Sequence, residues 1–260
     1  MNRFIEDNLD FISLEVTKSL DQPRDENGRW TDGYDVMDDG LELLPDSDAT
    51  PEEARDAWNA TFPGHTKMTL EEKLGMRITG VEVTGGSSMY LQGKLVRDGM
   101  TLGRVELTFT KGQYSELGLI SLNAGYTGGG VGKEFMREYV ELVEETGGKG
   151  IDLLADIDVG GYAWARMGFE AQGDGWKEAV EERVKDMYLK SELVNDVKET
   201  LEKGDINDIA SLSDPVHTED GVRKLGAALL MGSTWEGRLD FKNEVAMKTF
   251  RSYIGKHSGK

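Results

Sequence analysis

The sequence predicts an α/β fold with a mixed sheet, in which antiparallel N-terminal strands are followed by a parallel pair. Four strand-like runs follow one another between residues 76 and 122, and short glycine turns separate them. A glycine-rich turn at residues 128–132 then opens an amphipathic helix, and a second apolar strand follows at Ile151 to Ala155. Strands joined by tight turns pair antiparallel, whereas a strand–helix–strand unit places its two strands parallel.

The four runs are bounded by turn formers. We expect strands at 76–84, 88–97, 102–110 and 116–122, because Gly85-Gly86, Asp98-Gly99 and Lys111-Gly112 interrupt the apolar pattern. The helix after the glycine-rich turn has a continuous apolar stripe that should face the core. The stripe residues are Val131, Phe135, Met136, Tyr139, Val140 and Val143.

The composition is acidic and free of cysteine. The formal net charge is −19, and no disulfide or thiolate metal site can form without cysteine. Such a charge disfavours nonspecific binding to nucleic acid and favours cationic partners. The three histidines have no ligand spacing, so we expect no metal. The N-terminus lacks the apolar core of a signal peptide and no run reaches transmembrane length, which predicts a cytoplasmic protein that contacts no membrane.

The charge is concentrated in an N-terminal arm, residues 1–48, which holds fourteen acids and four bases. Within this arm, the many turn formers and few periodic apolar positions of residues 21–48 predict an extended segment without a core of its own. After the arm, Thr50 as N-cap and Pro51 at the first helical position predict a helix that runs to about Phe62.

The glycine-rich turn has the character of an anion site. Glycine lets backbone N–H groups converge at a helix N-terminus, where the helix dipole also favours a pyrophosphate. The turn is not a Walker loop, because Gly132-Lys133 is followed by Glu134 rather than by Ser or Thr. It is not a dinucleotide fingerprint either, since the glycine spacing differs from G-x-G-x-x-G.

The order of these elements resembles the GNAT superfamily of N-acetyltransferases over residues 76 to 170. The family signature, Arg/Gln-x-x-Gly-x-Gly/Ala after the fourth strand, corresponds to residues 127–132, which read TGGGVG. The later Tyr-x-x-x-Gly-Phe element corresponds to Trp164 through Gly168-Phe169. The resemblance implies a GNAT-like domain over 49–260, with the two parallel strands splayed at the glycine turn.

Beyond Phe169 the chain departs from the compact family pattern. We expect one or two amphipathic helices over 176–203 and another over 219–231, with Thr218 as its N-cap. Trp235 to Phe241 alternates like a strand, and a charged helix follows from about Asn243. The sequence therefore predicts a helical insertion at about 175–232, before a strand at about 234–241 returns to the sheet.

The resemblance also implies a cofactor, acetyl-CoA, lying between the splayed strands. Backbone N–H groups from the glycine turn would hold its pyrophosphate, and the edge of the preceding strand would pair with the pantetheine arm. Lys133 is a further candidate phosphate partner, with a solvated lysine as the alternative. The implied cofactor-binding residues are Leu122, Asn123, Gly128, Gly129, Gly130, Val131, Gly132 and Lys133.

Fewer residues can be assigned to the acetyl-transfer chemistry than to cofactor binding. Glu116 aligns with the glutamate that serves as base in histone-acetyltransferase-type members, and Asp156 and Asp158 are alternatives that can bind a cationic substrate. Thr127 stands where the family has Arg or Gln. Trp164 stands where the family has a general-acid Tyr, and its indole cannot donate a proton usefully, so we expect it to pack.

Two functions from different classes follow. The first is an acyl-CoA-dependent N-acetyltransferase of an amine-bearing small molecule or protein. The second is a catalytically inactive GNAT-fold component of a virion, docked on other virion proteins through the arm. Residues 23–30, PRDENGRW, are similar to a string in tailed-phage head and virion-associated proteins, and the IDVGGYAWARMGF block is similar to GNAT-like segments of such proteins. The similarity implies a phage-type protein in the host cytoplasm or the virion.

Overall fold

The computed structural model describes residues 51–62, 74–84, 86–123, 126, 130–155, 160–218 and 221–255. The acidic arm, Thr127, Gly128, Gly129, Asp156 and Asp158 lie outside these residues. The helices are α1 (Pro51–Thr61), α2 (Val131–Glu145), α3 (Gly160–Arg166), α4 (Gly175–Asp186), α5 (Ser191–Lys203), α6 (Ile206–Ser211), α7 (Leu225–Leu230) and α8 (Glu244–Gly255). The strands are β1 (Met76–Thr84), β2 (Ser88–Arg97), β3 (Met100–Thr110), β4 (Tyr114–Leu122), β5 (Gly150–Ala155), β6 (Glu170–Ala171), β7 (Pro215–Thr218), β8 (Gly221–Lys224) and β9 (Trp235–Asp240).

Seven strands form one mixed sheet in the order β1-β2-β3-β4-β5-β9-β6. β4 and β5 are parallel, and every other neighbouring pair is antiparallel. The predicted fold class, an antiparallel N-terminal meander followed by a parallel pair, is therefore confirmed. The turn between β2 and β3 was predicted from Asp98-Gly99. Both residues have positive φ, 51° and 78°, as a two-residue hairpin turn of type I′ requires.

One face of the sheet is apolar and covered by helices. The α2 stripe predicted from the sequence is buried throughout. Phe109 of β3 connects two helices, because its ring lies 5.1 Å from that of Trp58 in α1 and 5.3 Å from that of Tyr139 in α2, both in edge contacts. Since α1 and α2 both pack through Phe109, they lie on the same face.

The opposite face, which we call the polar face, carries a continuous row of polar side chains. Register partners lie side by side on one face of a sheet, so the pairing places one residue from each of the seven strands in this row. In strand order they are Glu82, Tyr90, Thr108, Glu116, Asp152, Arg238 and Glu170.

The segment between β6 and β9 contains α4 and α5, which match the one or two helices expected over 176–203, and α6, which was not predicted. The expected helix over 219–231 is only partly correct. β7 and β8 form a separate two-stranded hairpin, and the helix begins at Leu225. Thr218 is not an N-cap: its hydroxyl donates to the carbonyl of Gly221, 2.9 Å away. Gly221 has φ of 122°, which a helix interior does not tolerate.

The C-terminal elements follow the prediction. β9 returns to the sheet between β5 and β6, and α8 begins after Asn243. The Asn243 side chain caps this helix, since its Oδ1 accepts from the N–H groups of Val245 and Ala246 at 3.0 and 3.2 Å. Within the described ranges, no helix is both long and apolar enough to cross a membrane.

Candidate functional site

The two parallel strands separate at a defined point. Pairing between β4 and β5 covers four steps, from Tyr114 opposite Gly150 to Leu117 opposite Leu153, and then ends. β4 continues to Leu122 with β3 as its only partner strand, and β5 continues to Ala155 beside β9. The structure thus opens the sheet between the carboxyl ends of β4 and β5, as the splayed arrangement predicts.

A β-bulge marks the point of separation. Leu107 of β3 is opposite Leu117, and Glu106 is opposite Leu119, so Gly118 is the extra residue of β4. A bulge bends its strand and strengthens the local twist, which turns the rest of β4 away from β5. Leu119 of β4 and Leu154 of β5 are exposed, at 39% and 56%, next to the end of the pairing.

Along the free edge of β4, only every second residue directs its backbone N–H and C=O groups toward the opening. The Asn123 N–H donates to Leu102 on the β3 side at 2.8 Å, its side-chain amide donates to Thr101, and its carbonyl accepts from Tyr126. Because backbone groups alternate in direction along a strand, those of Leu122 and Ile120 point toward the opening. The edge-pairing role therefore suits Leu122 better than Asn123.

The N-terminus of α2 faces the end of β4. Its first intrahelical hydrogen bond runs from Glu134 N–H to the Gly130 carbonyl, 3.0 Å. The N–H groups of residues 130–132 come before this bond and have no acceptor within the helix. A Cβ placed on Gly132 would lie 3.9 Å from Leu122 Cδ1, so this part of the helix start borders the opening.

Charged side chains near this helix start have partners. Arg97 at the end of β2 forms an ion pair with Glu134 in the first turn of α2. The Lys133 ammonium lies 4.2 Å from the ring centroid of Tyr253 in α8. This position favours a packing role for the Lys133 side chain over the predicted contact with phosphate, although its backbone N–H still belongs to the first turn.

Gly130 needs glycine for a conformational reason. It is the N-cap of α2 and has φ of 79°, the left-handed region that costs other residues about 1–2 kcal/mol. Gly130→Ala should therefore lower the free energy of unfolding by about 1 kcal/mol in urea titrations. Gly132→Ala is the matched control, because Gly132 is helical and its Cβ meets no close contact. Equal stability of both variants would contradict a strained Gly130.

On the polar face, Glu116 lies beside a paired carboxylate. Asp152, its register partner on β5, accepts two hydrogen bonds from Arg238, with Nε–Oδ1 and Nη2–Oδ2 distances of 2.7 and 2.8 Å. These hydrogen bonds raise the pKa of Arg238 above its usual value, and a bidentate pair of this kind is geometrically fixed. The exposed Glu116 carboxylate makes no such contact with a described residue.

The backbone of Glu116 is held from the other face. Tyr139 of α2 is fully buried, and its hydroxyl donates to the Glu116 carbonyl at 2.8 Å. Burial, and then the nearby Glu116 charge, raise the pKa of Tyr139 well above its usual value, so the phenol remains a donor. The Glu116 side chain is thus free on a fixed backbone.

Sequence reasoning missed the residues that support this region. The Arg238 guanidinium lies 4.0 Å from the ring centroid of Tyr114, whose hydroxyl donates to Asp240 at 2.9 Å. Asp152 and Arg238 are 86 residues apart, and Tyr114 and Asp240 are 126 apart. No local motif joins positions so distant, and only the strand order predicts them.

The helix after β5 offers packing rather than a proton donor at the predicted position. The Trp164 ring is in edge contact with that of Phe169, 5.4 Å away, which agrees with the packing role expected for it. The Tyr162 hydroxyl lies 3.5 Å from Arg166 on the same helix. Among the described residues, no group of three or more His, Asp or Glu is placed to hold a metal ion.

Tyr90, an ionisable residue on the polar face, allows the electrostatics of this face to be tested. Burial, followed by the charge and hydrogen bond of Glu106 and the charge of Glu82, raises the pKa of Tyr90 to about 12. A raised phenol pKa contributes stability below the unfolded value near 10 that is lost as pH rises through the folded value. We expect Glu106→Gln to lower the Tyr90 pKa in ultraviolet difference titrations against Tyr90→Phe. An unchanged Tyr90 pKa would show that Glu106 does not contribute to the shift.

Comparison with known proteins adds little to this geometry. No family model matches the sequence, and no curated protein matches it significantly. Among solved structures, the chain is similar to a nourseothricin acetyltransferase, at 19% identity and a TM-score of 0.28, over 42% of this chain and 82% of that one. A likeness at so low a score carries no weight for function. The strand opening, the helix start and the polar face together define the candidate site.

Proposed function

We propose that the protein is an acyl-CoA-dependent N-acetyltransferase that acts on an amine. The observation that carries the proposal is the opening between β4 and β5 directly beside the start of α2. An extended chain can pair with the free edge of β4 while an anion at its end meets the N–H groups of the helix. Acetyl-CoA has this combination of an amide-bearing arm and a pyrophosphate, and supplies the activated acetyl group.

The residues of the site fit such a molecule. Gly132 leaves space between the helix start and Leu122, which any side chain beyond alanine would occupy. Arg97 is paired with Glu134, so this first-turn carboxylate does not stand unpaired at the helix start. Leu119 and Leu154 give the strand opening apolar walls. Gly128 and Gly129 lie outside the described residues and complete the same turn in the sequence.

Glu116 is the proposed base. Its carboxylate reaches solvent next to the point where β4 and β5 separate, and Asp152 beside it is already paired with Arg238. An incoming ammonium group would lose a proton to Glu116, and the neutral amine would then attack the acetyl carbonyl. The amide bond forms as the carbon–sulfur bond breaks, the nitrogen releases its second proton to solvent, and the departing thiolate takes a proton from solvent.

The acceptor class follows from charge. The polar face carries more acids than bases in its seven-strand row, and the chain has a net charge of −19. Beside Glu116, this acidic row favours the approach of a cation. We therefore propose a cationic amine on a small molecule or protein, with Asp156 and Asp158 at the end of β5 as further candidate contacts.

A non-catalytic role in a phage virion is the second candidate. The packing of Trp164 against Phe169 favours it, because no phenol stands at the family's general-acid position. In that case the fold serves as an assembly module and the acidic arm contacts neighbouring virion proteins.

One experiment separates the two candidates. The purified full chain is incubated with acetyl-CoA and a set of amines, including polyamines and lysine-rich peptides, and free thiol release is followed with time. Amine-dependent thiol release that saturates with acetyl-CoA supports the enzyme. Acetyl-CoA binding without any amine-dependent release, across the whole set, would favour the assembly role.

A further inference from the structure

Three cations lie side by side on the polar face, in a second row nearer the open end of β4. Arg77 of β1 is opposite Lys94 of β2, and Lys94 is opposite Arg104 of β3. Register partners have Cβ atoms about 4.5–5.5 Å apart, and like charges at that distance destabilise a sheet. We call Arg77, Lys94 and Arg104 the basic row. A chain of net charge −19 offers many acids, yet none lies opposite these three.

The basic row is not neutralised within the described part of the chain. None of its members forms a hydrogen bond or ion pair with a described residue through its side chain. Arg104 is followed across the sheet by Ser121 of β4, and the nearby Glu106 is hydrogen-bonded to Tyr90. Arg77 and Arg104 are exposed, and the helices that pack on these strands, α1 and α2, lie on the other face.

We propose that the basic row is a docking surface for the acidic segment 31–48 of the same chain. This segment reads TDGYDVMDDGLELLPDSD and holds seven carboxylates without a single lysine or arginine. Its charge is opposite to that of the row, and docking would exchange repulsion among three cations for attraction to several anions. The proposal is independent of whether the protein is an enzyme.

The position of the segment in the chain supports intramolecular docking. Two residues separate the end of segment 31–48 from Pro51, where α1 begins, and α1 packs on the same sheet. Eighteen extended residues reach up to about 60 Å, whereas three strands span only about 10 Å. β1 is an edge strand, so the chain can pass around it. A short tether also gives a high effective concentration, of the order of millimolar.

A double-mutant cycle on the full chain tests the proposal, because the shift that Lys94→Gln causes in the urea midpoint should change sign between two backgrounds. Lys94→Gln removes the central cation. With the native segment, it should lower the urea midpoint of unfolding, because an anion loses its partner. With Asp35, Asp38 and Asp39 changed to Asn, the same substitution should instead raise the midpoint, because only repulsion is relieved. Both shifts should shrink at high salt.

Lys185→Gln is the matched control, an exposed lysine on α4 that should shift the midpoint equally in both backgrounds. Equal shifts for Lys94→Gln in both backgrounds would overturn the proposal.

Carbodiimide cross-linking identifies what occupies the basic row. The sample is a mixture of isotopically light and heavy full-length protein. A bond from Lys94 to a carboxylate of residues 31–48 within one chain supports the proposal. Bonds only between light and heavy chains would assign the surface to a second copy and contradict intramolecular docking.

Discussion

Gly132→Val is expected to weaken acetyl-CoA binding by about 100-fold or more while the chain still folds. The valine side chain would fill the space between the start of α2 and Leu122 Cδ1, which a Cβ already approaches to 3.9 Å. A pyrophosphate kept away from the helix start would lose one or two charge-assisted hydrogen bonds, worth about 1.5–3 kcal/mol each. Since 1.4 kcal/mol is a factor of ten in affinity, the loss is visible by calorimetric titration.

The control is Gly132→Ala, whose methyl group meets only ordinary contact distance. It should retain binding, which matches the Gly or Ala that the GNAT signature allows at this position. Gly130 is unsuitable for this test, because its φ of 79° makes any substitution there a change of stability as well. Undiminished binding by Gly132→Val would place the cofactor elsewhere.

Glu116→Gln is expected to slow transfer by about 10²–10⁴-fold, the usual contribution of a positioned base. The amide keeps the shape of the side chain but cannot accept a proton from the ammonium group. The affinity for acetyl-CoA should stay the same, because the base acts on the acceptor amine. The measurement is steady-state thiol release with the best amine, together with calorimetric titration of acetyl-CoA.

Glu82→Gln is the matched control for this substitution. Glu82 is an exposed carboxylate in the same row of the polar face, on the edge strand β1 and three strands away from Glu116. It should leave turnover unchanged. A Glu116→Gln enzyme with wild-type turnover would remove Glu116 from the mechanism and leave Asp156 and Asp158 as the remaining carboxylate candidates.

Much of the fold could be predicted from the sequence because its signals are local. The turn at Asp98-Gly99, the apolar stripe of α2 and the start of α8 near Asn243 each depend on residues within or next to the element itself. The helix prediction for residues 219–231 was partly wrong, and this error has a local cause as well. The leucines of α7 suggested a longer helix, and the turn at Gly221 that ends this pattern was not recognised.

The candidate site was predictable only in part. The glycine-rich turn indicated the helix start. The family resemblance singled out Glu116 as a base, and the structure places this residue next to the end of the β4–β5 pairing. The Asp152–Arg238 pair and the basic row were not predicted, because each depends on which strands become neighbours. The positive φ of Gly130 and the β3-side bonds of Asn123 also depend on the folded backbone, and these two features change what each residue can do for a ligand.

The central claim, that acetyl-CoA binds between the separated ends of β4 and β5, is tested most directly by following backbone amide resonances of the full chain during titration with acetyl-CoA. We predict saturable shifts at the amides of Ile120 and Leu122 on the free edge and at residues 130–133 at the start of α2. The amides of β1 and of α5, remote from the opening, should not move. Shifts confined to other surfaces, or none at millimolar acetyl-CoA, would contradict the account.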